Sequence, residues 1–152
     1  MVQLTPDLEA LLRMGLAVLC GLVVGFNRAH HQAGLTQPNR LRVHVLVGLS
    51  ACLMVLAAGP DLEARSRAIQ GVATGVGFLG AGEILVERSS QGQAAPQVHG
   101  LTSAAAVWFT AALGVTVAAS TPVLAGFALV LALIALSQRG NGSNHGPGGA
   151  SR

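Results

Sequence analysis

Residues 71–82 read GVATGVGFLGAG, an apolar stretch in which five glycines lie among small and branched side chains. Each glycine inside a water-exposed helix costs about 0.5 to 1 kcal/mol relative to alanine, because more backbone entropy is lost on folding. In a bilayer, by contrast, glycine allows two helix backbones to approach closely. The stretch therefore predicts a membrane helix that packs against other helices.

The five glycines fall on two sides of this predicted helix. At about 100° per residue, Gly71, Gly75 and Gly82 share one narrow stripe, whereas Gly77 and Gly80 lie on roughly the opposite side. Two sides of the helix that carry glycine in place of a side chain predict two neighbouring helices. We therefore expect this segment to be the central helix of a compact bundle.

A second Gly-xxx-Gly pair occurs earlier in the chain, at Gly21 and Gly25. This spacing is typical of close helix contacts in membranes, so we expect the pair to form a partner surface for the glycine-rich helix. The alternative is that both glycine sets serve assembly alone and have no further function.

The composition indicates an integral membrane protein. Of 152 residues, 51% are hydrophobic and only 10% are charged, and the mean hydropathy is +0.59. Soluble domains carry about a quarter charged residues. All nine basic residues are arginines, without a basic stripe interleaved with aromatics, so nucleic-acid binding is not expected.

Apolar segments of about 17 to 25 residues predict an all-α, polytopic membrane helix bundle with about five transmembrane helices. The bundle occupies residues 1–137, and the Gly-, Asn- and Ser-rich residues 138–152 are expected to form a short disordered tail. The five predicted spans are Leu8–Phe26, Arg42–Ala58, Ala68–Val86, Gly100–Ala119 and Thr121–Ser137.

The arginines predict the orientation of the bundle. Most of them fall in the loop after the first span, after the third span, and in the tail: Arg28, Arg40, Arg42, Arg88, Arg139 and Arg152. A smaller set belongs to the opposite side: Arg13, Arg65 and Arg67. By the positive-inside rule, the amino terminus is expected outside and the carboxyl terminus in the cytoplasm.

Glu83 is the first candidate functional residue, because it lies inside the third predicted span. A carboxylate at membrane depth is costly, so such a residue usually faces the bundle interior, pairs, or titrates. Alternatively, Glu83 lies close enough to the interface to reach headgroups or to pair with Arg88 or Arg42.

Asn27 and Arg28 close the first span, where arginine ordinarily anchors a helix at the interface. His30 and His31 follow, but neighbours at i and i+1 do not share a helical face, and no third ligand has a suitable spacing. We therefore predict no metal site here.

Other polar residues lie at span boundaries. Arg42 and His44 begin the second span, where His44 either senses pH or forms an ordinary hydrogen bond. Thr102, Ser103 and Thr110 can each bond to a carbonyl one turn back, as hydroxyls in membrane helices routinely do. No nucleophile, base and orienting group occur at a recognisable spacing, so neither a catalytic site nor an enzyme is predicted.

Four residues inside apolar runs are interpreted as packing groups. Cys20 and Cys52 are expected to be buried free thiols. Trp108 and Phe109, near the middle of the fourth span, are expected to pack in the core, and the alternative is that they form a lipid-facing bulge.

Three blocks of sequence resemble a known family in their order and spacing. They are residues 21–28 (GLVVGFNR), residues 41–48 (LRVHVLVG), and Arg67 with residues 75–82 (GVGFLGAG), residues 99–108 (HGLTSAAAVW) and Gly114. The chain resembles the MgtC/SapB family of bacterial inner-membrane proteins over roughly residues 8–137. It departs from the family pattern at Asn27, where an acidic residue is usual, and at Glu83, where an apolar residue is usual.

The resemblance implies the hydrophobic amino-terminal domain of the family without the soluble carboxy-terminal domain of some relatives. It implies a plasma-membrane protein with five spans, linked to adaptation to low magnesium and, in pathogens, to survival inside host cells. Members of the family are often labelled magnesium transporters, but several look like regulators that bind other membrane proteins, including the ATP synthase.

We favour a small membrane regulator, because the chain is rich in close-packing surface and poor in polar intramembrane groups. The alternative is a transporter or channel subunit for magnesium or another ion. The ligand pattern does not support bound magnesium, because Glu83 alone supplies too few oxygen ligands unless a homo-oligomer brings several copies together. A third hypothesis is a structural or acid-stress protein in which His44 and Glu83 titrate. No cofactor is predicted.

Overall fold

The computed structural model describes residues 5–31, 39–87 and 97–137, which form five helices and one short two-stranded sheet. The predicted helical fold is confirmed, whereas the predicted tail, residues 138–152, lies outside the described residues. The elements in chain order are α1 (Pro6–His31), α2 (Asn39–Ala57), α3 (Leu62–Gly82), β1 (Leu85–Glu87), β2 (Gln97–His99), α4 (Leu101–Ala119) and α5 (Pro122–Ser137).

The turn between α2 and α3 sets where α3 begins. Gly59 has a φ of 68°, a conformation in which glycine carries no steric penalty. Asp61 then caps α3, and its side chain accepts a hydrogen bond of 2.7 Å from the backbone N–H of Ala64. Helix α3 therefore begins at Leu62, before the apolar span that was predicted to begin at Ala68. A capped turn of polar residues can be helical without being hydrophobic, so hydropathy does not detect it.

The connection from α3 to α4 is a short antiparallel hairpin that the hydrophobic pattern did not predict. Leu85 pairs with His99, and Glu87 pairs with Gln97. Hydropathy had extended the third span to Val86, but α3 ends at Gly82. Gly100 follows the hairpin with a φ of 91°, and an added Cβ would overlap the carbonyl oxygen of Glu83.

The centre of the bundle is α4, which packs against α1, α2, α3 and α5. Its sequence is almost all small or apolar, so it can be surrounded on every side. Leu113, Val117 and Thr110 on this helix are fully buried. Cys20 and Cys52 are buried free thiols, as predicted.

The prediction that the glycine-rich helix is central is wrong for this chain. Helix α3 packs mainly on α4 and presents Val72, Val76 and Gly80 as its buried residues. Among the described residues, none lies within 4 Å of a Cβ added at the other glycines of this stretch, which are Gly71, Gly75, Gly77 and Gly82. Glycine permits a close neighbour but does not ensure that the same chain supplies one.

Gly21 and Gly25 pack against α2 rather than α3. A Cβ added at Gly21 would lie 2.8 Å from the His44 carbonyl oxygen, and one at Gly25 would lie 3.1 Å from the Cα of Leu41. Since later residues of α1 meet earlier residues of α2, the two helices run antiparallel.

Helices α2 and α4 run parallel and approach closely at two glycines. An added Cβ at Gly48 would lie 3.3 Å from Cγ2 of Thr110, and one at Gly114 would lie 3.1 Å from Cβ of Ala51 and would overlap the Gly48 carbonyl oxygen. The backbones can pack at this distance only because neither position carries a side chain.

Within the described parts of the chain, three helices are long and apolar enough to cross a membrane: Pro6–His30, Arg40–Ala57 and Leu101–Ala119. Helix α5 is apolar but has 16 residues, a length of about 24 Å against a hydrocarbon core of about 30 Å. Its side chains Val123 and Phe127 are 81% and 63% exposed, as expected for a lipid-facing helix. Helix α3 has the length of a span but begins with a charged turn.

Trp108 does not pack in the core as predicted. Half of its surface is exposed, and it borders one groove between α3 and α4 and another between α4 and α5. The neighbouring Phe109 packs against the core instead. Adjacent residues of a helix point in different directions, so only one of the two aromatic rings can face inward.

Arg13 closes the carboxyl end of α4. Its Nη1 donates to the carbonyl oxygens of Val117 (2.7 Å), Ala118 (2.8 Å) and Ser120 (3.2 Å), and its Nη2 lies 2.8 Å from Oε1 of Glu9. The last carbonyls of a helix lack intrahelical donors, and a cation there also interacts favourably with the helix dipole.

We expect Gly114→Ala to lower the free energy of unfolding by about 2 kcal/mol, since the new methyl group must displace the α2 backbone. Gly126→Ala is the matched control, because no described residue lies within 4 Å of its added Cβ. Thermal unfolding in detergent micelles, followed by circular dichroism, compares the two variants. Equal stability of the variants would contradict the close α2–α4 contact.

We expect Arg13→Gln to lower the free energy of unfolding by about 2 kcal/mol, the typical scale of hydrogen bonds to a charged group. Arg67→Gln provides the control, because Glu63 is the only described residue that Arg67 pairs with, and the two side chains are 71% and 81% exposed. Exposed pairs contribute about 0 to 1 kcal/mol. A larger loss in the control than in Arg13→Gln would show that Arg13 does not hold the end of α4.

Candidate functional site: a polar cluster at one end of the bundle

Six polar residues form a cluster where four helix ends meet, and we call them the polar cluster. The antiparallel pair α1 and α2, together with the hairpin between α3 and α4, brings the end of α1, the start of α2, the end of α3 and the start of α4 to one end of the bundle. The members of the polar cluster are Arg28, Arg40, His44, Glu83, Ser103 and Thr110.

A hydrogen-bonded chain connects three of these residues. Nη1 of Arg40 donates to Oγ of Ser103 over 2.9 Å, and Ser103 in turn donates to Oε2 of Glu83 over 2.9 Å. Ser103 is buried and has a single hydroxyl proton, so it relays between a cation and a carboxylate that belong to different helices. The chain links α2, α4 and the end of α3.

Glu83 also lies at the start of α4. The residue before this helix, Gly100, offers no side chain to cap its free N–H groups. A carboxylate near a helix N-terminus is stabilised by the helix dipole, so the position of Glu83 beside Ser103 is electrostatically favourable. The hydrogen bond from Ser103 and the dipole of α4 therefore offset the unfavourable position of this carboxylate as the C-cap of α3.

His44 has a fixed hydrogen-bonding role. Oγ1 of Thr110 donates its only proton to the carbonyl oxygen of Ala106 over 2.8 Å, and it lies 2.9 Å from Nδ1 of His44. Thr110 must therefore accept from His44, which places a proton on Nδ1. Both side chains are buried, at 3% exposure for His44 and 0% for Thr110.

Arg28 and Asn27 contain polar atoms without partners. Arg28 is only 5% exposed, and its Nε has no hydrogen-bond partner among the described residues. Oδ1 of the neighbouring Asn27 is likewise buried and unpartnered within that part of the chain. Arg28, Arg40 and Glu83 are the charged groups near the His44 ring.

The structure brings some of the predicted site residues together and leaves others apart. Arg28, His44 and Glu83 belong to the polar cluster, and Asn27 borders it. The predicted residues that lie exposed on the surface are Arg42, Arg67 and Thr102. Glu83 contacts Arg40 through Ser103, and among the described residues it forms no ion pair with Arg42. The alternative pairing with Arg88 lies outside the described residues.

Sequence reasoning missed Arg40, and it treated the hydroxyls of Ser103 and Thr110 as ordinary helix groups. The available signal was spacing: Arg40 lies one turn before His44, and Ser103 lies two turns before Thr110, so each pair shares a helix face. That spacing could not reveal that the two faces meet.

The charges of the polar cluster favour an anion over a metal ion. It holds two guanidinium groups and one carboxylate, an excess of positive charge that repels a divalent cation. Across the described residues, no group of three or more His, Cys, Asp or Glu side chains is placed to hold a metal ion.

The sequence also matches a known protein family. Residues 14–142 match the model of the MgtC family, which covers all five helices except the first residues of α1. The chain belongs to the MgtC family. The resemblance proposed from the three sequence blocks is thereby confirmed.

Several members of the MgtC family are similar in sequence. Protein SrpB of Synechococcus elongatus is 43% identical over 114 residues, which cover 69% of this chain and 60% of SrpB. A protein of Escherichia coli K12 named "Putative magnesium transporter YhiD" is 31% identical over 141 residues, which cover 84% of this chain and 59% of YhiD. Protein MgtC of Salmonella typhimurium is 35% identical over 104 residues, 65% of this chain and 38% of that protein.

The chain thus spans about 60% or less of the length of these relatives. No solved structure is significantly similar to the chain. Family membership and the helical, apolar fold together identify an MgtC-family membrane protein.

We expect Ser103→Ala to lower the free energy of unfolding by about 1 to 3 kcal/mol, because Arg40 and Glu83 would lose the hydroxyl that joins them. Thr102→Ala is the control, since Thr102 is the exposed neighbour on the same helix. Unfolding in detergent micelles measures both variants. If the control lost as much stability as Ser103→Ala, the relay would contribute nothing specific.

Proposed function

We propose that this MgtC-family protein is a small inner-membrane regulator that acts by binding another membrane protein through α3. Its proposed orientation places the amino terminus outside and the polar cluster at the cytoplasmic end, in agreement with the arginine distribution. The proposed physiological role is adaptation to low magnesium, and the ATP synthase is the first partner to test.

The outward stripe of α3 carries this proposal. Gly71, Gly75 and Gly82 are exposed on a stripe beside the buried face of α3, and no residue of another described element lies within 4 Å of their added Cβ atoms. Helix association in membranes depends on close backbone approach, which such a stripe allows. We call Gly71, Gly75 and Gly82 the outer glycine stripe.

The neighbouring side chains also support contact with another helix. Phe78 is 82% exposed and Leu79 is 51% exposed, so large apolar groups flank the outer glycine stripe. A bare stripe bordered by bulky side chains forms a groove into which a partner helix fits. Helix α3 also lies at the edge of the bundle, where a partner can reach it.

Transport of magnesium is less well supported by the polar cluster. Magnesium requires near-octahedral oxygen ligands and loses its water reluctantly. The cluster offers one carboxylate beside two guanidinium groups, so a cation would meet net repulsion. The same charges are compatible with a regulator, which needs no ion pathway.

Site-specific photocrosslinking tests the partner proposal. A photoreactive amino acid at Phe78 in the full chain, expressed in its native host, is expected to crosslink one defined membrane protein identified by mass spectrometry. Gly75→Leu should reduce this crosslink by about tenfold, because a leucine side chain fills the groove and separates the helices.

Gly126→Leu is the matched control, since Gly126 is equally open but lies on α5. It should leave the crosslink unchanged, and both variants should reach the membrane in equal amounts. A crosslink that survives Gly75→Leu, or that yields lipid adducts alone, would contradict the proposal.

Proteoliposomes separate this function from ion transport. We expect magnesium flux no higher than that of protein-free liposomes, measured with an internal magnesium indicator. A flux that falls in Glu83→Gln and persists in Glu63→Gln would favour transport, because Glu63 is an exposed carboxylate outside the polar cluster.

A further inference from the structure

His44 lies where α1, α2 and α4 meet. A Cβ added at Gly21 of α1 would lie 2.8 Å from the carbonyl oxygen of His44, and one added at Gly25 would lie 3.3 Å from the Cβ of His44. The ring contacts Thr110 of α4, and only 3% of the residue is exposed. Both the backbone and the ring of His44 are therefore confined. We call His44, with Gly21, Gly25 and Thr110 around it, the His44 junction.

The hydrogen bond at the His44 junction fits a neutral imidazole. Nδ1 holds the proton, because the hydroxyl of Thr110 already donates to the carbonyl oxygen of Ala106. In the neutral ring Nε2 carries a lone pair and needs no acceptor. Protonation would add an N–H at Nε2, and Thr110 is the hydrogen-bond partner that the described residues offer to this ring. A charged His44 would therefore bury a donor without an acceptor, which is costly.

The surrounding charges also oppose protonation of His44. On α1, Arg28 follows Gly25 by one turn and is only 5% exposed, and on α2, Arg40 precedes His44 by one turn. Both guanidinium groups lie close enough to act on the ring, and Glu83 at the end of α3 is the carboxylate that opposes them. Helices α4 and α5 contain no charged or titratable side chain. A protonated ring would add a third positive charge to two positive charges and one negative charge.

We propose that the His44 junction is an acid-sensitive switch, in which a proton taken up by His44 separates the start of α2 from α1 and α4 and admits water to the polar cluster. The glycine contacts hold the backbone of His44 in place, so the charged ring cannot turn toward water while the helices stay packed. Water reaches the ring only when the helix ends move apart. This inference is independent of the partner proposed for α3.

The switch has a defined direction of pH dependence. In the unfolded chain a histidine takes up a proton below about pH 6.5. In the folded bundle burial and two guanidinium groups oppose that proton, so the unfolded state binds more protons in acid. The stability that His44 contributes is therefore fully present above about pH 6.5 and is lost as the pH falls below that value.

Thermal unfolding of the full chain in detergent micelles, at pH 7.5 and at pH 5, tests the switch. On acidification, the unfolding temperature of the wild-type chain should fall by about 4 to 8 °C more than that of His44→Gln. Glutamine keeps an N–H group that can donate to Thr110, but it never gains a charge. An equal fall in the two chains would overturn the proposal.

Two further variants leave His44 itself unchanged. His30→Gln is the matched control, because His30 is an exposed histidine on α1, and it should keep the wild-type response to acid. Arg28→Gln removes one of the two positive charges near the ring and should reduce that response. A full wild-type response in Arg28→Gln, or a lost response in His30→Gln, would contradict the switch.

Two measurements read the His44 junction directly. Nitrogen NMR of the full chain with labelled imidazole rings should show a neutral His44 with its proton on Nδ1 at pH 7.5, assigned by the signals that His44→Gln lacks. Backbone hydrogen exchange at residues 40–44, corrected for its intrinsic pH dependence, should become faster at pH 5 in the wild-type chain and stay unchanged in His44→Gln. A charged ring at pH 7.5, or equal protection of the wild-type chain at both pH values, would overturn the proposal.

Discussion

The close approach of α2 and α4 is the constraint on which the rest of the structure depends. Gly48 and Gly114 bring the two backbones together so tightly that a methyl group at Gly114 would overlap a carbonyl oxygen. Apolar side chains gain little free energy when they leave lipid tails to pack against one another, because both surroundings are apolar. Dense packing must therefore hold the bundle together. The same contact fixes His44 of α2 opposite Thr110 of α4.

Once α4 is held at the centre, its two ends require different partners. Arg13 of α1 donates hydrogen bonds to the final carbonyl groups of α4. Glu83 lies at the first turn of α4, which has no side-chain cap. A cation at the carboxyl end and an anion at the amino end both oppose the charges of the helix dipole. The bundle thus places half-buried charged groups where the backbone of α4 itself compensates them.

The sequence by itself determined the helical membrane class and the buried thiols, because hydropathy is a local property of each segment. It also marked Arg28, His44 and Glu83, since polar groups inside apolar runs are conspicuous. Only the tertiary structure decided that α4 is central and that Arg40 reaches Glu83 through Ser103. The physical reason is that helical spacing defines which residues share a face, whereas the neighbour of that face depends on how all the helices pack.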